Sequence, residues 1–232
     1  MLINECKALV TGGSKGIGFA IAAALKSGEA QVAVTGRDQK ALDEAAKQID
    51  AVTIVSDVRK PGDCKKAVKT AKEKLGGLNV LINNAGVGYH VPLDNIEPER
   101  FHDVWATNVL GAAIMAQEAI KIFKEQQYGT IVNIGSSSGV RGYENGSPYV
   151  ASKFALRGMS ECWRAELRKF NIRVILINPS EVQTGMGSKI TPAHPNPKKL
   201  LAEDIAHAVI LCLTMNDRGF IPEIPIWATN PW

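Results

Sequence analysis

Short apolar runs alternate with helical patterns along almost the whole chain. Each run is rich in Val, Ile and Leu, as in a buried strand, and between the runs apolar residues recur every three or four positions. The predicted strands are 6–11, 31–36, 51–56, 78–83, 129–135, 172–178 and 223–228. The predicted helices are 16–27, 38–49 with Asp38 as its cap, 62–75, 99–126, 148–170 and 203–214.

This alternation predicts an α/β fold: a single doubly wound parallel sheet, Rossmann-type, with about seven strands and helices on both faces. No repeat, low-complexity run or linker divides the chain, so we expect one domain over residues 1–232. Ligands of such sheets bind at the carboxyl ends of the strands. Loops 136–148 and 179–200 follow predicted strands, and we interpret 179–200 as a substrate loop.

Composition and charge exclude several classes of protein. Apolar residues make up 45% of the 232 residues, charged residues 22%, and the net charge is +4, which does not favour nucleic acid as a partner. No stretch is long and apolar enough for a membrane span, and the N-terminus lacks a signal-peptide pattern. The four cysteines are far apart, which predicts reduced thiols and a cytoplasmic location. The four histidines lack metal-ligand spacing, so we expect no metal.

A glycine-rich segment, "TGGSKGIG", lies between the first predicted strand and the first helix. Glycines let a pyrophosphate approach the backbone, and the helix N-terminus offers free N–H groups. The strand before and the helix after favour a nucleotide site over a plain turn. The residues of this segment that we expect to contact the cofactor are Gly12, Ser14, Lys15, Gly16, Ile17 and Gly18.

The end of the second strand bears on the choice of cofactor. Gly36 stands where a ribose-binding carboxylate is expected, and Arg37 follows it. An arginine can grip a 2′-phosphate, and Lys15 could add a second positive charge. We therefore predict NADP(H) in preference to NAD(H). The alternative is that both cations are ordinary surface residues.

Tyr149 and Lys153 are four residues apart in a predicted helix, so their side chains share a face. A free phenol has a pKa near 10. A nearby ammonium, together with a cationic oxidised nicotinamide, would lower that pKa and make the tyrosine a proton donor or acceptor. Taken alone, the pair is a weak signal.

With further motifs the chain resembles the short-chain dehydrogenase/reductase family, and in particular its 3-oxoacyl-carrier-protein reductases. The resemblance covers nearly the whole chain and keeps the order and spacing of the family motifs. The motifs are "TGGSKGIG", "DV" at 57–58, "NNAG" at 83–86, Asn108, "IVNIGS" ending at Ser136, "YVASK" at 149–153 and "NPSEVQT" at 178–184.

The resemblance implies four catalytic roles. Tyr149 would protonate a carbonyl oxygen during reduction, and Ser136 would hydrogen-bond and polarise the same oxygen. Lys153 would lower the tyrosine pKa and bind the nicotinamide ribose, and Asn108 would hold a water that links Lys153 to solvent. Ser137 and Ser138 are rivals for the serine role, although spacing favours Ser136.

The resemblance also implies further cofactor contacts. Asp57 and Val58 would touch the adenine, and Val182 and Thr184 would fix the carboxamide. The remaining expected contacts are Asn84, Ala85, Gly86, Tyr149, Lys153 and Pro179.

The implied activity is reduction of a carbonyl to a secondary alcohol, with a 3-oxoacyl thioester as the preferred substrate class. A sugar, steroid or other alcohol dehydrogenase of the same family remains an alternative, as does a catalytically silent nucleotide-binding sensor or scaffold. The family's helix pairing suggests a homotetramer or dimer. Ser180 replaces the family's usual glycine, and the apolar tail is expected at a subunit contact. Pocket walls are expected from 87–93, 140–148 and 185–200.

Overall fold

Seven parallel strands form one sheet in the order β3-β2-β1-β4-β5-β6-β7 in the computed structural model, which describes residues 1–184, 196 and 198–230. The strands are β1 Lys7–Thr11, β2 Gln31–Gly36, β3 Val52–Val55, β4 Val80–Asn83, β5 Gly129–Ile134, β6 Ile172–Pro179 and β7 Glu223–Ile226. The chain winds outward from β1 to β3, crosses to β4 and then winds outward to β7. The predicted doubly wound sheet is therefore confirmed.

Helices connect successive strands. They are α1 Gly16–Ser27, α2 Gln39–Ile49, α3 Pro61–Lys74, α4 Pro98–Trp105, α5 Ala112–Gln126, α6 Ser147–Leu167 and α7 Ala202–Thr214. Short 3₁₀ turns cover Ile3–Glu5, Leu93–Asn95, Ser137–Gly139 and Arg168–Phe170. The Asp38 carboxylate accepts hydrogen bonds from the N–H groups of Lys40 and Ala41, so it caps α2 as predicted.

Two apolar layers hold the helices against the sheet. Successive residues of β1 alternate between them: Ala8 and Val10 pack with α1 and α7, whereas Leu9 packs with α3 and α5. Both faces of the central strands are therefore buried, which explains why they contain few polar residues. Pro225 lies in β7, at the edge of the sheet, where its missing N–H costs no inner pairing.

The predicted helix over 99–126 is wrong in one respect. A π-helical segment, Ala106–Gly111, separates α4 from α5. π-Helical turns are rare and are frequently found at functional sites. This one contains Asn108.

The structure describes only part of segment 179–200, which the sequence predicts to be a substrate loop. Ser180 N–H donates to the Ile226 carbonyl at 2.8 Å, and Val182 pairs with Leu200 in an isolated bridge. Residues 185–195 and 197 lie outside the described residues, and with them most of the third predicted pocket wall. No helix in the described ranges has the length and apolar character needed to cross a bilayer.

Candidate active site

Two adjoining cavities open at the carboxyl ends of the strands. The smaller, here called the cleft, has a volume of about 410 Å³ and lies at the β1/β4 switch point. The larger, here called the pocket, has a volume of about 1110 Å³ and lies beyond β5, β6 and β7. Ile17, Asn84, Gly88 and Thr184 line both. Because doubly wound sheets bind ligands at this edge, the two cavities form the candidate site.

The glycine loop forms the floor of the cleft. Gly12 and Gly16 have φ angles of +64° and +57°, which favour glycine. The Asn84 side chain donates to the carbonyls of Thr11 and Gly12 at 2.9 and 3.0 Å. A Cβ on Gly18 would collide with the Gly12 carbonyl and with the same Asn84 amide. Gly18 therefore lies behind the loop and serves close packing.

Two cations line the far end of the cleft. Arg37 and Lys15 are exposed, and neither side chain forms a hydrogen bond or ion pair within the described part of the chain. Arg59 differs, because it pairs with Asp57 at 2.7 Å and with Asp103 at 3.1 Å. Its hydrogen bond to Asp57 holds the pKa of that carboxyl below its usual range. Arg37 and Lys15 are thus available to an anion in the cleft.

Ser136, Tyr149 and Lys153 come together in the pocket. Ser136 follows β5, and Tyr149 and Lys153 occupy successive turns of α6. The Ser136 hydroxyl lies near the Tyr149 phenol and acts to lower its pKa, which burial raises. Lys153 Nζ donates to the Ile134 carbonyl at 2.9 Å and lies 5.7 Å from the centroid of the Tyr149 ring. Ser137 and Ser138 also line the pocket, but it is the Ser136 hydroxyl that acts to lower the pKa of Tyr149.

Burial shifts the pKa values of both ionisable groups away from their charged forms. It raises the pKa of Tyr149 to about 12, against the opposing effect of the Ser136 hydroxyl. It lowers the pKa of Lys153 to about 8. The expected lowering of the tyrosine pKa by Lys153 is therefore not met by the chain alone, because desolvation dominates. The second positive charge expected to lower the tyrosine pKa is the oxidised nicotinamide ring of the cofactor.

The Asn108 side chain is tied to the loop after β4. Its Oδ1 accepts from Val87 N–H at 2.8 Å, and its Nδ2 donates to the Val87 carbonyl and to Ser152 Oγ, both at 3.0 Å. Ser152 Oγ in turn donates to the Tyr149 carbonyl at 2.7 Å. Both amide hydrogens of Asn108 are thus used, so a water held by this residue has to donate to one of its oxygens.

The sequence profile described as short chain dehydrogenase matches residues 7–195. The chain belongs to this family. The resemblance drawn from the motifs is thereby confirmed, and the protein is an oxidoreductase of the short-chain type.

Relatives of known sequence or structure span nearly the whole chain. An uncharacterized oxidoreductase from Staphylococcus aureus (strain USA300) is 32% identical, with 97% of this chain and 98% of the relative covered. An alcohol dehydrogenase from Thermococcus sibiricus, complexed with 5-hydroxy-NADP, has a TM-score of 0.86 at 27% identity and 96% coverage of both chains. A 3-ketoacyl-(acyl-carrier-protein) reductase from Brucella melitensis, complexed with NADH, has a TM-score of 0.88 at 26% identity, covering 97% and 98%.

The cleft fits the nicotinamide dinucleotide that short-chain dehydrogenases use. The positive φ angles of Gly12 and Gly16 leave room for a backbone-bound phosphate. The Ser56 hydroxyl is buried at the cleft wall and has no hydrogen-bond partner within the described part of the chain. A ligand with donor and acceptor groups would satisfy it. In the described ranges, no cluster of three or more His, Cys, Asp or Glu side chains could hold a metal ion.

Most of the predicted contact residues of this short-chain dehydrogenase line one of the two cavities. Those on the cleft are Gly12, Ser14, Lys15, Gly16, Ile17, Arg37, Asp57, Val58, Asn84, Ala85, Gly86 and Thr184. Those on the pocket are Ile17, Asn84, Ser136, Tyr149, Lys153, Pro179, Val182 and Thr184. Asn108 lies behind the loop after β4, as described above.

Sequence reasoning missed three aromatic pocket residues as individuals. His90 Nε2 is 2.9 Å from the Tyr143 hydroxyl, and the His90 ring centroid is 5.6 Å from that of Tyr149. His90 and Tyr143 fall in the loops expected to form pocket walls, 87–93 and 140–148. Trp227 lies in the tail that is predicted at a subunit contact, and it also lines the pocket, where the Arg141 guanidinium lies 4.8 Å from its ring centroid. Only the pairing of β7 with β6 brings Trp227 there.

Proposed function

We propose that this chain is an NADP(H)-dependent carbonyl reductase acting through Ser136, Tyr149, Lys153 and Asn108. The observation that carries the proposal is that Ser136, Tyr149 and Lys153 line one pocket next to the cleft, with Lys153 Nζ 5.7 Å from the centroid of the Tyr149 ring. Two hydroxyl donors at one point can bind one carbonyl oxygen, and burial strengthens both interactions.

When bound, the reduced dinucleotide supplies a hydride to the substrate carbonyl carbon. Tyr149 gives its proton to the carbonyl oxygen, which Ser136 polarises by hydrogen bonding. The Lys153 ammonium stabilises the phenolate that remains, and a water held by an oxygen of Asn108 returns the proton from solvent. The cleft residues given above hold the dinucleotide, with Val182 and Thr184 at its nicotinamide end.

NADP(H) is proposed over NAD(H) because Arg37 and Lys15 face the cleft without ion-pair partners in the described residues. A 2′-phosphate would pair with Arg37 in bidentate fashion. The relative that binds 5-hydroxy-NADP supports this choice, whereas the relative that binds NADH shows that the fold accepts either cofactor.

The proposed substrate class is a 3-oxoacyl thioester. The pocket's volume of about 1110 Å³ accommodates a long substrate, and the 3-ketoacyl reductase is a close structural neighbour. A cyclic ketone, such as a steroid or sugar, is the second candidate. It is favoured by the rings of His90, Tyr143 and Trp227 around the pocket, which would stack on a flat substrate.

We further propose a single domain over residues 1–232, with 179–200 as its substrate loop, that assembles as a homotetramer or dimer. Exposed apolar side chains on neighbouring helices support the assembly: Trp105 on α4, Leu110 in the π-helical segment and Phe154 on α6. A cytoplasmic location is also proposed, and the free state of all four cysteines supports it.

The test monitors NADPH and NADH oxidation with an acetoacetyl thioester and a panel of cyclic ketones. Tyr149→Phe should abolish turnover and leave NADPH binding, measured by fluorescence, within about twofold, because only the proton donor is removed. Tyr128→Phe is the matched control, since Tyr128 precedes β5 at the opposite edge of the sheet. Full activity in Tyr149→Phe would exclude the mechanism. NADPH binding without turnover of any ketone would favour the silent sensor.

A further inference from the structure

A series of hydrogen bonds runs behind Ser136 and ends on an ion pair. Ser136 N–H donates to Asn178 Oδ1 at 3.2 Å, and Asn178 Nδ2 donates to Glu223 Oε1 at 2.7 Å. Arg157 Nε donates to the two Glu223 oxygens at 3.0 and 3.2 Å. The residues come from the end of β5, from β6, from β7 and from α6, so three other elements hold the serine's backbone.

The polarity of each partner fixes how the Asn178 amide is oriented. A carboxylate only accepts hydrogen bonds, so Glu223 has to face the amide's Nδ2. That leaves Oδ1 toward Ser136 N–H, which only donates. Asn178 is buried, so an inverted amide would leave donor against donor at Ser136 and acceptor against acceptor at Glu223. Arg157 Nε contacts both carboxylate oxygens of Glu223 and holds that side chain in place.

The backbone before Ser136 makes room for this arrangement. A Cβ on Gly135 would collide with Asn178 Oδ1 and would reach Leu176 Cδ1 at 3.0 Å. Gly135 N–H donates to the Ile177 carbonyl at 2.7 Å. Only a glycine at 135 therefore lets the amide approach Ser136 N–H from β6.

The same face of α6 supports the site at two points. Tyr149, Lys153 and Arg157 are spaced by four residues and share that face. Lys153 holds the end of β5 through the Ile134 carbonyl. Arg157 acts one turn later, through Glu223 and Asn178, on Ser136, which lies two residues after β5.

We propose that Asn178 and Glu223 are positioning residues that orient the Ser136 hydroxyl, an inference that rests on the role proposed above for Ser136. Ser136 Oγ accepts from Ser138 N–H at 3.1 Å, which leaves its own hydrogen for Tyr149 or a carbonyl oxygen. Where that hydrogen points depends on the peptide plane that Asn178 holds. Losing this support moves the hydroxyl and slows the chemical step, while the cleft and its glycine loop stay intact.

The decisive variants reverse one hydrogen bond and then rebuild it. Asn178→Asp places a second carboxylate against Glu223, and the pair repels. Adding Glu223→Gln to that variant restores the series: the introduced amide donates to the new carboxylate, which still accepts from Ser136 N–H. The amide oxygen still accepts from Arg157 Nε. The double variant should therefore be better than Asn178→Asp alone.

The first measurement needs neither substrate nor cofactor. In protein labelled with ¹⁵N-serine, the Ser136 amide signal is assigned by its loss in Ser136→Ala. Asn178→Asp should shift this signal and speed its hydrogen exchange by about tenfold or more, and the double variant should reverse both changes. Glu161→Gln is the matched control, because Glu161 also pairs with Arg157, at 3.5 Å, without touching Asn178.

The second measurement is steady-state reduction by NADPH. Asn178→Asp should lower kcat by about tenfold or more, with KM for the ketone and the Kd for NADPH within about twofold. The double variant should regain most of that loss. In a Ser136→Ala background, Asn178→Asp should lower kcat no further, since both changes act through one hydroxyl.

An unchanged Ser136 amide signal in a folded Asn178→Asp protein overturns the inference. So does a double variant that is no better than the single one in amide exchange or in kcat. Where Asn178→Asp does not fold, Glu223→Ala alone carries the same readouts, because it removes the acceptor that orients the Asn178 amide. Full activity in Ser136→Ala would instead defeat the proposed function, and the amide measurements would still decide whether Asn178 holds the Ser136 backbone.

Discussion

At the scale of single residues, the spacing of Tyr149 and Lys153 predicted that they share a helix face, but not how deeply they are buried. Burial depends on the elements packed around α6. It raises the pKa of Tyr149 and lowers that of Lys153, so it favours the neutral form of both side chains. The position of Ser136 in the motif "IVNIGS" was equally informative, because its spacing from Tyr149 favoured it over Ser137 and Ser138. His90 and Trp227 belong to no motif, and only tertiary contacts place them at the pocket.

The first residue-scale prediction concerns pH. Lys153 is charged below its pKa of about 8 and neutral above it, whereas Tyr149, with a pKa of about 12, keeps its proton throughout the working range. If the ammonium stabilises the developing phenolate, reduction is fastest below pH 8 and falls above it. The measurement is kcat/KM for NADPH between about pH 6 and 10, which reports groups of the free enzyme.

Lys153→Arg provides the control for this pH dependence. A guanidinium stays charged across the whole range, so any residual activity of this variant should lack the falling limb. A wild-type profile that stays flat past pH 9 would contradict the assignment to Lys153.

The second residue-scale prediction concerns the cofactor. Arg37→Ala removes the cation proposed to pair with the 2′-phosphate. Because a hydrogen bond to a charged group contributes about 1.5–3 kcal/mol, kcat/KM for NADPH should fall about 10- to 100-fold while that for NADH stays nearly constant. Lys47→Ala, at the far end of α2, is the control. Equal losses with both cofactors would show that Arg37 does not select between them.

At the scale of elements, apolar periodicity located every strand and most helices, because each has one buried face or two. The π-helical segment was not predictable. Within this segment, Asn108 forms hydrogen bonds with Val87 and Ser152, which are distant in sequence, so no local pattern indicates the segment. End residues were also uncertain. Ala51 and Ser56 fall outside β3, although the predicted run included them.

The element-scale prediction concerns the start of α2. Asp38→Ala removes the carboxylate that accepts from the N–H groups of Lys40 and Ala41, so the free energy of unfolding should fall by about 1 kcal/mol. Urea unfolding measures the change. Glu44→Ala, an exposed position on the same helix, should have a much smaller effect. Equal effects of the two substitutions would mean that the cap contributes no stability of its own.

At the scale of the whole molecule, strand order follows from connectivity. Parallel strands joined by helices leave few topologies, so the doubly wound sheet and its ligand-binding edge were predictable. The pairing of β7 with β6 matters in two ways that no local pattern indicates. It brings Trp227 over the pocket and Glu223 behind Asn178, and so connects the last strand to the serine of the candidate site.

Assembly is the property that belongs to the whole molecule. Trp105, Leu110 and Phe154 are 41%, 47% and 45% exposed on helices that pack beside one another. Burying a side chain of this size contributes about 1.5–3 kcal/mol, so a second copy covering this face would be stabilised by each of them. Light scattering coupled to size exclusion should therefore give the wild-type protein two or four times the 25.0 kDa chain mass.

Trp105→Glu should shift that mass toward 25.0 kDa, because the charge would be buried at the contact. Leu93→Glu is the matched control: Leu93 is also exposed, at 79%, but it lies in the short turn before α4 and not on these helices. A wild-type mass of 25.0 kDa at every concentration would exclude the assembly. An oligomer that Trp105→Glu leaves intact would mean that another face makes the contact, and the exposed Leu211 on α7 would be the next position to test.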